Sequence, residues 1–207
     1  MPIEGGVCGL LLAGGQSRRM GGGDKCLQML GGNTLLARVI DCARPQVDEL
    51  ILNANGDPSR FSQFGLPVIS DAIDGFAGPL AGVLTGLEWA RDNRPACNWV
   101  ASFACDAPFA PSDLVSRLSD VIKNQNGDLA CATSNDRNQP VFGLWPVALA
   151  EDLRAAIVNE GIRKVDVWTA RYRLVRAAWS VDPVDPFLNV NRPEDLDTAE
   201  LVLASRT

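Results

Sequence analysis

Seven consecutive apolar residues, Val7-Cys8-Gly9-Leu10-Leu11-Leu12-Ala13, run without a polar interruption into Gly14-Gly15. A strand with one face in water alternates apolar and polar side chains. A continuous run is instead the habit of a strand buried on both faces, inside a parallel sheet covered by helices. At seven residues it falls far short of the ~20 that cross a bilayer. Its flank, Met1-Pro2-Ile3-Glu4, is acidic and the first basic residue, Arg18, follows it, the reverse of a secretion signal. The chain is expected to stay in the cytoplasm, with no membrane partner.

The same unit recurs downstream. Asn33-Thr34 offers a cap for Leu35, Leu36, Val39, Ile40 and Ala43 at helical spacing, closed by Pro45. Segments 49–53 and 66–70 read as short strands that deliver Asn53 and Asp71 at their C-terminal ends. Pro79 opens a helix bearing Leu80, Val83, Leu84, Leu87 and Ala90. Residues 99–104 read as a strand running into Cys105-Asp106-Ala107-Pro108, and Ser112 is the expected cap of a helix carrying Leu114, Val115, Leu118, Val121 and Ile122. Further on, 129–133, 141–145 and 174–179 read as strands, 147–159 and 165–172 as helices, and Pro193 starts a last helix reaching Leu203. This alternation predicts an α/β fold with a mostly parallel central sheet, helices on both faces and right-handed crossovers. No repeat or linker divides it, so one domain over 1–207 is expected.

Composition narrows the chemistry. With 46% hydrophobic and 21% charged residues, the 207-residue chain is built for a packed core. A net charge of −6 excludes a general nucleic-acid binder. The six cysteines lack metal or disulfide spacing and read as buried thiols of a reducing compartment. There is no histidine, which excludes Ser-His-Asp and Cys-His nucleophiles, His-ligated zinc and imidazole acid–base work. Chemistry must run on carboxylates, Lys, Arg, Asn and backbone amides, with or without a hard metal.

Those groups concentrate in two places. The stretch from Leu12 to Lys25 holds five glycines, Arg18, Arg19 and Lys25, one of three lysines in the chain. Such a loop lets backbone N–H groups approach a polyphosphate, although it is neither a Walker A loop nor a G-x-G-x-x-G fingerprint, and local composition also suits an ordinary turn. Asp106 follows a strand, where open parallel sheets bind ligands, and its carboxylate suits either Mg²⁺ or a turn cap before Pro108. Asp24, Asp74 and Glu88 lack that placement and read as solvated charges. Gly78-Pro79-Leu80-Ala81-Gly82 reads either as a tight turn opening a helix or as close packing against a flat ligand. The five tryptophans have no stacking pattern and read as packing residues.

Taken in order, Leu12-Ala13-Gly14-Gly15, Arg19-Met20-Gly21, Asp24-Lys25, Gly78-Pro79-Leu80-Ala81-Gly82, Cys105-Asp106-Ala107-Pro108 and Asn189-Val190-Asn191 resemble the molybdenum cofactor guanylyltransferases across almost the whole chain. The resemblance implies a Rossmann-like nucleotidyltransferase fold, with a nucleotide half over about 1–110 and a pterin-acceptor half over about 111–207. It implies GTP, Mg²⁺ (or Mn²⁺ in its place) and molybdopterin or its molybdenum form as ligands. The reaction it implies is transfer of GMP onto the terminal phosphate of molybdopterin, with release of pyrophosphate. Cofactor-delivery proteins and molybdoenzyme chaperones would be the protein partners. By the same matching, Leu12, Ala13, Gly14, Gly15 and Asn53 would lie against guanine, Lys25 against phosphates, Asp71 beside the nucleotide and Asp106 on the metal. Arg19 would neutralise charge with Lys25. Gly78, Gly82, Arg163, Lys164, Asn189 and Asn191 would serve the acceptor.

A phosphate monoester, with its second pKa near 6, is already mostly deprotonated at neutral pH, so this reaction needs no histidine base. Two rivals remain: a cytidylyltransferase, whose loop more typically reads Leu-Ala-Ala-Gly where this chain has Gly14, and a non-catalytic nucleotide or cofactor carrier. One departure from the family is Arg192, where threonine is usual before the proline; a lost Thr cap is worth about 1 kcal/mol of helix stability.

Overall fold

The computed structural model describes residues 3–13, 24–75 and 78–205. In chain order the elements are β1 (Gly6–Leu12), β2 (Met29–Leu30), β3 (Asn33–Thr34), α1 (Leu35–Ala43), β4 (Glu49–Asn53), β5 (Val68–Ile69), α2 (Pro79–Asn93) and β6 (Cys97–Ala104). They continue with α3 (Leu114–Gln125), β7 (Leu129–Ser134), β8 (Arg137–Pro146), α4 (Ala150–Val158), α5 (Val165–Thr169), β9 (Leu174–Trp179) and α6 (Pro193–Ala204). Short 3-10 turns cover Lys25–Leu27, Arg44–Gln46, Pro58–Phe64 and Val147–Leu149.

Seven strands form one sheet in the order β5-β4-β1-β6-β8-β7-β9. The block β5-β4-β1-β6 is parallel throughout, and β7-β9 is parallel. β8 runs antiparallel to both of its neighbours. Its reversal has a local cause: between β7 and β8 stand only Asn135 and Asp136, at φ 47° and 57°, the left-handed pair that a two-residue hairpin demands and that Asn and Asp tolerate. A second hairpin, β2-β3, turns on Gly31-Gly32 at φ 54° and 79°.

β1 lies inside the sheet between β4 and β6, and the pleat divides its side chains between two cores. Val7 and Leu11 join the core under α1 and α3, while Cys8 and Leu10 join the one under α2, α4 and α5. Burial of this kind contributes roughly 1.5–3 kcal/mol per large side chain, which explains why the run tolerates no polar residue. A third, smaller core joins α6 to the β2-β3 hairpin through Leu30, Leu35, Phe109, Val190 and Ala199. Among the described residues, no helix is long and apolar enough to cross a membrane.

Four local expectations change. α1 is capped by Thr34 alone, whose hydroxyl accepts from Ala37 N–H at 3.1 Å. α3 begins after Asp113 and has no side-chain cap, because the Asp113 carboxylate accepts instead from Trp179 Nε1 at 2.9 Å; Ser112 does not cap it. The segment 165–172 is helical only as far as Thr169, and 147–159 starts as a 3-10 turn before α4. All six cysteines are free thiols, and all but half-buried Cys42 are buried.

Candidate active site

Parallel pairing aligns the strand ends. Leu12 of β1 stands opposite Asn53 of β4 and Ala104 of β6, and Asn53 stands opposite Ile69 of β5. Whatever follows those residues is therefore delivered to one edge: Ala13, Asp71 and Asp106. Main-chain bonds extend the alignment past the strands, with Ala13 N–H donating to Asn53 O at 3.0 Å and Cys105 N–H to Leu12 O at 3.2 Å.

At this edge Lys25 Nζ donates to Asp106 Oδ2 at 2.5 Å and to Asn191 Oδ1 at 2.5 Å. The lysine side chain is 14% exposed and the aspartate 27%, so the ion pair faces a partly dried cleft rather than open water. Asn191 is held there by its backbone. Val190, fully buried, donates its N–H to Asp106 O at 2.8 Å, and Asp195 Oδ2 accepts from Asn191 N–H and Arg192 N–H at 2.8 and 2.9 Å. Arginine has no acceptor, so the start of α6 is secured by Asp195 reaching back, and the missing threonine is partly replaced. Beneath the ion pair, burial, reinforced by the Asp24 carboxylate, pushes the Cys26 thiol up to about 12. Burial drives the Cys105 thiol well above its ordinary range as well, so both remain neutral packing groups.

A second cluster lies on the β4-β5 side. Buried Asn53 donates through Nδ2 to Ile69 O at 3.1 Å and to Asp71 Oδ1 at 2.9 Å. Asn55 donates to Asp71 Oδ2 at 2.8 Å, and its own Oδ1 accepts from Asp71 N–H at 2.9 Å. Both oxygens of Asp71 are thus engaged by amides, which orients the carboxylate for reading a donor group. The next residue is fixed too: Ala72 N–H donates to the buried Thr85 hydroxyl at 2.8 Å.

Gly82 is expected on the acceptor side, but it packs against this cluster. A Cβ there would stand 2.4 Å from Leu12 Cδ2 and 2.6 Å from Asn53 Oδ1, so α2 can approach β1 and β4 only because the residue has no side chain. Gly78, at φ 151°, begins α2 across from the Arg163 carbonyl, 3.8 Å from where its Cβ would lie. Arg163 and Lys164 precede α5 on the exposed surface, and Asn189 is exposed near Asn191 in sequence. Gly14, Gly15 and Arg19 lie outside the described residues.

Asn55, Asp195, Thr85 and Arg60 are absent from the sequence-derived candidates. Asp24 is no solvated charge, because both its oxygens accept from Arg60 Nη1 at 2.7 Å; nor is Glu88, which pairs with Arg154 at 2.6 Å and is 12% exposed. Asp74 is exposed. Among the described residues no group of three metal-binding side chains converges. A hard cation at Asp106 would take its remaining ligands from water and substrate oxygens, the usual arrangement for Mg²⁺ with phosphates, and the lone carboxylate oxygen donor fits that role.

A mostly parallel α/β sheet with a glycine-rich segment after its first strand and a carboxylate after a central strand suits the nucleotidyltransferase class. The family model described as a MobA-like NTP transferase domain matches residues 9–173. Molybdopterin-guanine dinucleotide biosynthesis protein A from Archaeoglobus fulgidus superposes with a TM-score of 0.72 at 22% identity, covering 96% of this chain and 99% of that one. The manganese complex of Rv0371C from Mycobacterium tuberculosis H37Rv superposes at 0.69 with 20% identity, covering 95% and 98%. In sequence, a molybdenum cofactor guanylyltransferase of Rhodopseudomonas palustris (strain HaA2) is 55% identical over 191 residues, 92% of this chain and 89% of that protein. The chain belongs to the molybdenum cofactor guanylyltransferase family of MobA-like nucleotidyltransferases.

Proposed function

We propose that the protein transfers GMP from GTP to the terminal phosphate of molybdopterin, or of its molybdenum form. The observation that carries the reading is the meeting of Lys25, Asp106 and Asn191 within single hydrogen bonds. The three come from the turn after the glycine-rich segment, the end of β6 and the segment before α6. A phosphate-binding cation, a candidate metal carboxylate and a residue of the acceptor half thereby share one point. In the proposed reaction an oxygen of the acceptor phosphate bonds to the α-phosphorus of GTP. The bond from that phosphorus to the bridging oxygen breaks, and pyrophosphate carries away the electron pair. The nucleophile is already mostly ionised at neutral pH, so no side chain has to remove a proton.

Bound Mg²⁺, or Mn²⁺ in its place, would supply charge neutralisation and a template for the phosphate oxygens, held by Asp106. Lys25 would leave part of its pairing with Asp106 to face the phosphates, with Arg19 as a second cation. Leu12, Ala13, Gly14, Gly15 and Asn53, with Asp71 oriented by Asn53 and Asn55, would form the guanine and ribose side. Gly78, Arg163, Lys164, Asn189 and Asn191 would border the acceptor. We read 1–207 as one domain, with nucleotide and acceptor halves meeting near residue 110, acting in the cytoplasm, where proteins that deliver and collect the cofactor would be its partners. The test is incubation of purified protein with molybdopterin, Mg²⁺ and α-labelled GTP or CTP. Labelled guanine dinucleotide with equimolar pyrophosphate is the expected result. Preference for CTP, or nucleotide binding without pyrophosphate release, would overturn the reading.

A further inference from the structure

Arg60 is an exposed residue in the 3-10 segment Pro58–Phe64, after β4, and nothing in the residue pattern singles it out. Each of its three guanidinium nitrogens nevertheless donates a hydrogen bond. Nη1 donates to both Asp24 oxygens at 2.7 Å, Nη2 to Asn55 O at 2.6 Å and Nε to Asp57 O at 2.8 Å. The cation also lies 5.0 Å from the centroid of buried Phe61. Two of these partners, Asp24 and Asn55, lead into the site. Asp24 begins the turn Lys25–Leu27, with its carbonyl accepting from Leu27 N–H at 3.0 Å, and its neighbour Lys25 carries the ammonium that meets Asp106. Asn55 holds Asp71 from both the side chain and the main chain. One guanidinium therefore bridges the turn that faces phosphates and the cluster on the β4-β5 side.

Resting on the guanylyl-transfer reading above, we infer that Arg60 is a positioning residue for the nucleotide. By fastening Asp24 to the Asn55 main chain, it holds Lys25 and the Asn53-Asn55-Asp71 cluster at a fixed separation. A triphosphate bound at one and a base bound at the other then reach the acceptor in a single geometry. Arginine is required rather than lysine because a planar fork serves three acceptors at once, whereas an ammonium on a flexible stem serves them one arrangement at a time.

The test is a double-mutant cycle on kcat/KM for GTP, with calorimetric GTP affinity and thermal midpoint measured in parallel. Arg60→Ala is expected to lower kcat/KM by about 10- to 100-fold, the scale of a misplaced reacting group, with Arg60→Lys intermediate. In a Lys25→Ala background the same change is expected to cost under about 3-fold, because residues acting through a shared partner are not additive. Equal factors in the two backgrounds, or no loss in the wild-type background, would overturn the inference. Should Arg60→Ala not fold, Asp24→Asn removes the charge of the same pair from its other end and carries the same expectation. Wild-type protein that makes no guanine dinucleotide overturns the functional reading and the inference together. Wild-type turnover with an additive cycle overturns the inference alone.

Discussion

Asp106 and Gly82 show how much a single position can decide. Asp106 offers the one carboxylate oxygen that meets Lys25 at the central strand ends, and an asparagine there keeps the shape while removing the charge. Asp106→Asn is expected to lower turnover by about 100-fold or more, the usual scale for a lost preorganised electrostatic contact, with the circular dichroism spectrum unchanged. Wild-type turnover at limiting Mg²⁺ would remove Asp106 from the metal. At Gly82 the added methyl of Gly82→Ala meets Leu12 and Asn53 inside van der Waals distance. Overpacking of this kind costs roughly 1–3 kcal/mol, and displacing Asn53 also frees one oxygen of Asp71. The expected outcome is a raised KM for GTP together with a lowered thermal midpoint. A stability loss with an unchanged KM would show that the cluster does not touch nucleotide.

At the scale of elements, the joint between the parallel block and the β8-β7-β9 block depends on Ser102. Its hydroxyl donates to Val141 O at 2.5 Å and accepts from Trp145 Nε1 at 2.8 Å, in the core beside fully buried Trp145. Ser102→Ala removes the partner shared by the Trp145 indole N–H, the Gly143 N–H at 3.3 Å and the Val141 carbonyl, and a buried orphan costs about 1–3 kcal/mol. A drop of that size in urea unfolding free energy, at constant m-value, is expected; a neutral effect would mean that water fills the gap. The elements also mark what could be read beforehand. β1, β4, β6 and the helices between them were legible because double burial writes itself as continuous apolar runs followed by helical spacing. Asn53, Asp71 and Asp106 were legible as strand-end residues for the same reason. The antiparallel turn of β8 was written in Asn135-Asp136 and overlooked, since neither is glycine. Contacts such as Lys25 with Asn191, or Arg60 with Asp24, had no local trace, because an ion pair between loops leaves no periodicity in either. Gly82 was legible as a place of close approach, but a glycine does not say to what, and its packing on Leu12 and Asn53 left no local trace.

For the whole molecule, the thiols predict how stability responds to alkali. Burial, the leading cause at each, pushes Cys8 and Cys26 up to about 12 and Cys42 and Cys131 up to about 11, from 9.0. Burial raises Tyr172 too, with Asp152 beside it adding to the effect. The folded state thus keeps protons that the unfolded chain gives up. The stabilisation is whole below pH 9.0 and is lost as pH rises toward 11 and 12. Unfolding free energy should therefore fall steadily above pH 9.0 while thiol reagents react slowly with the native protein at pH 8. A flat profile to pH 11 would contradict the burial of these cysteines.

α6 packs on the β2-β3 hairpin, where Glu200 accepts from Gly31 N–H at 2.7 Å, and the segment before it brings Asn191 to Lys25 across 166 residues of sequence. Loop-closing contacts of such span form late in folding. During synthesis the first strands can pair while the ribosome is still adding residues at about 5–20 per second, yet the Lys25-Asp106-Asn191 meeting point has to await the emergence of α6. A growing chain is therefore expected to be catalytically silent however much of its sheet has formed. Ribosome-bound chains stalled with α6 inside the exit tunnel should make no guanine dinucleotide, and turnover should appear once a longer linker lets α6 out. Activity before that point would mean that the site closes without its last helix. Competence for turnover would then be timed by the order in which the chain is made.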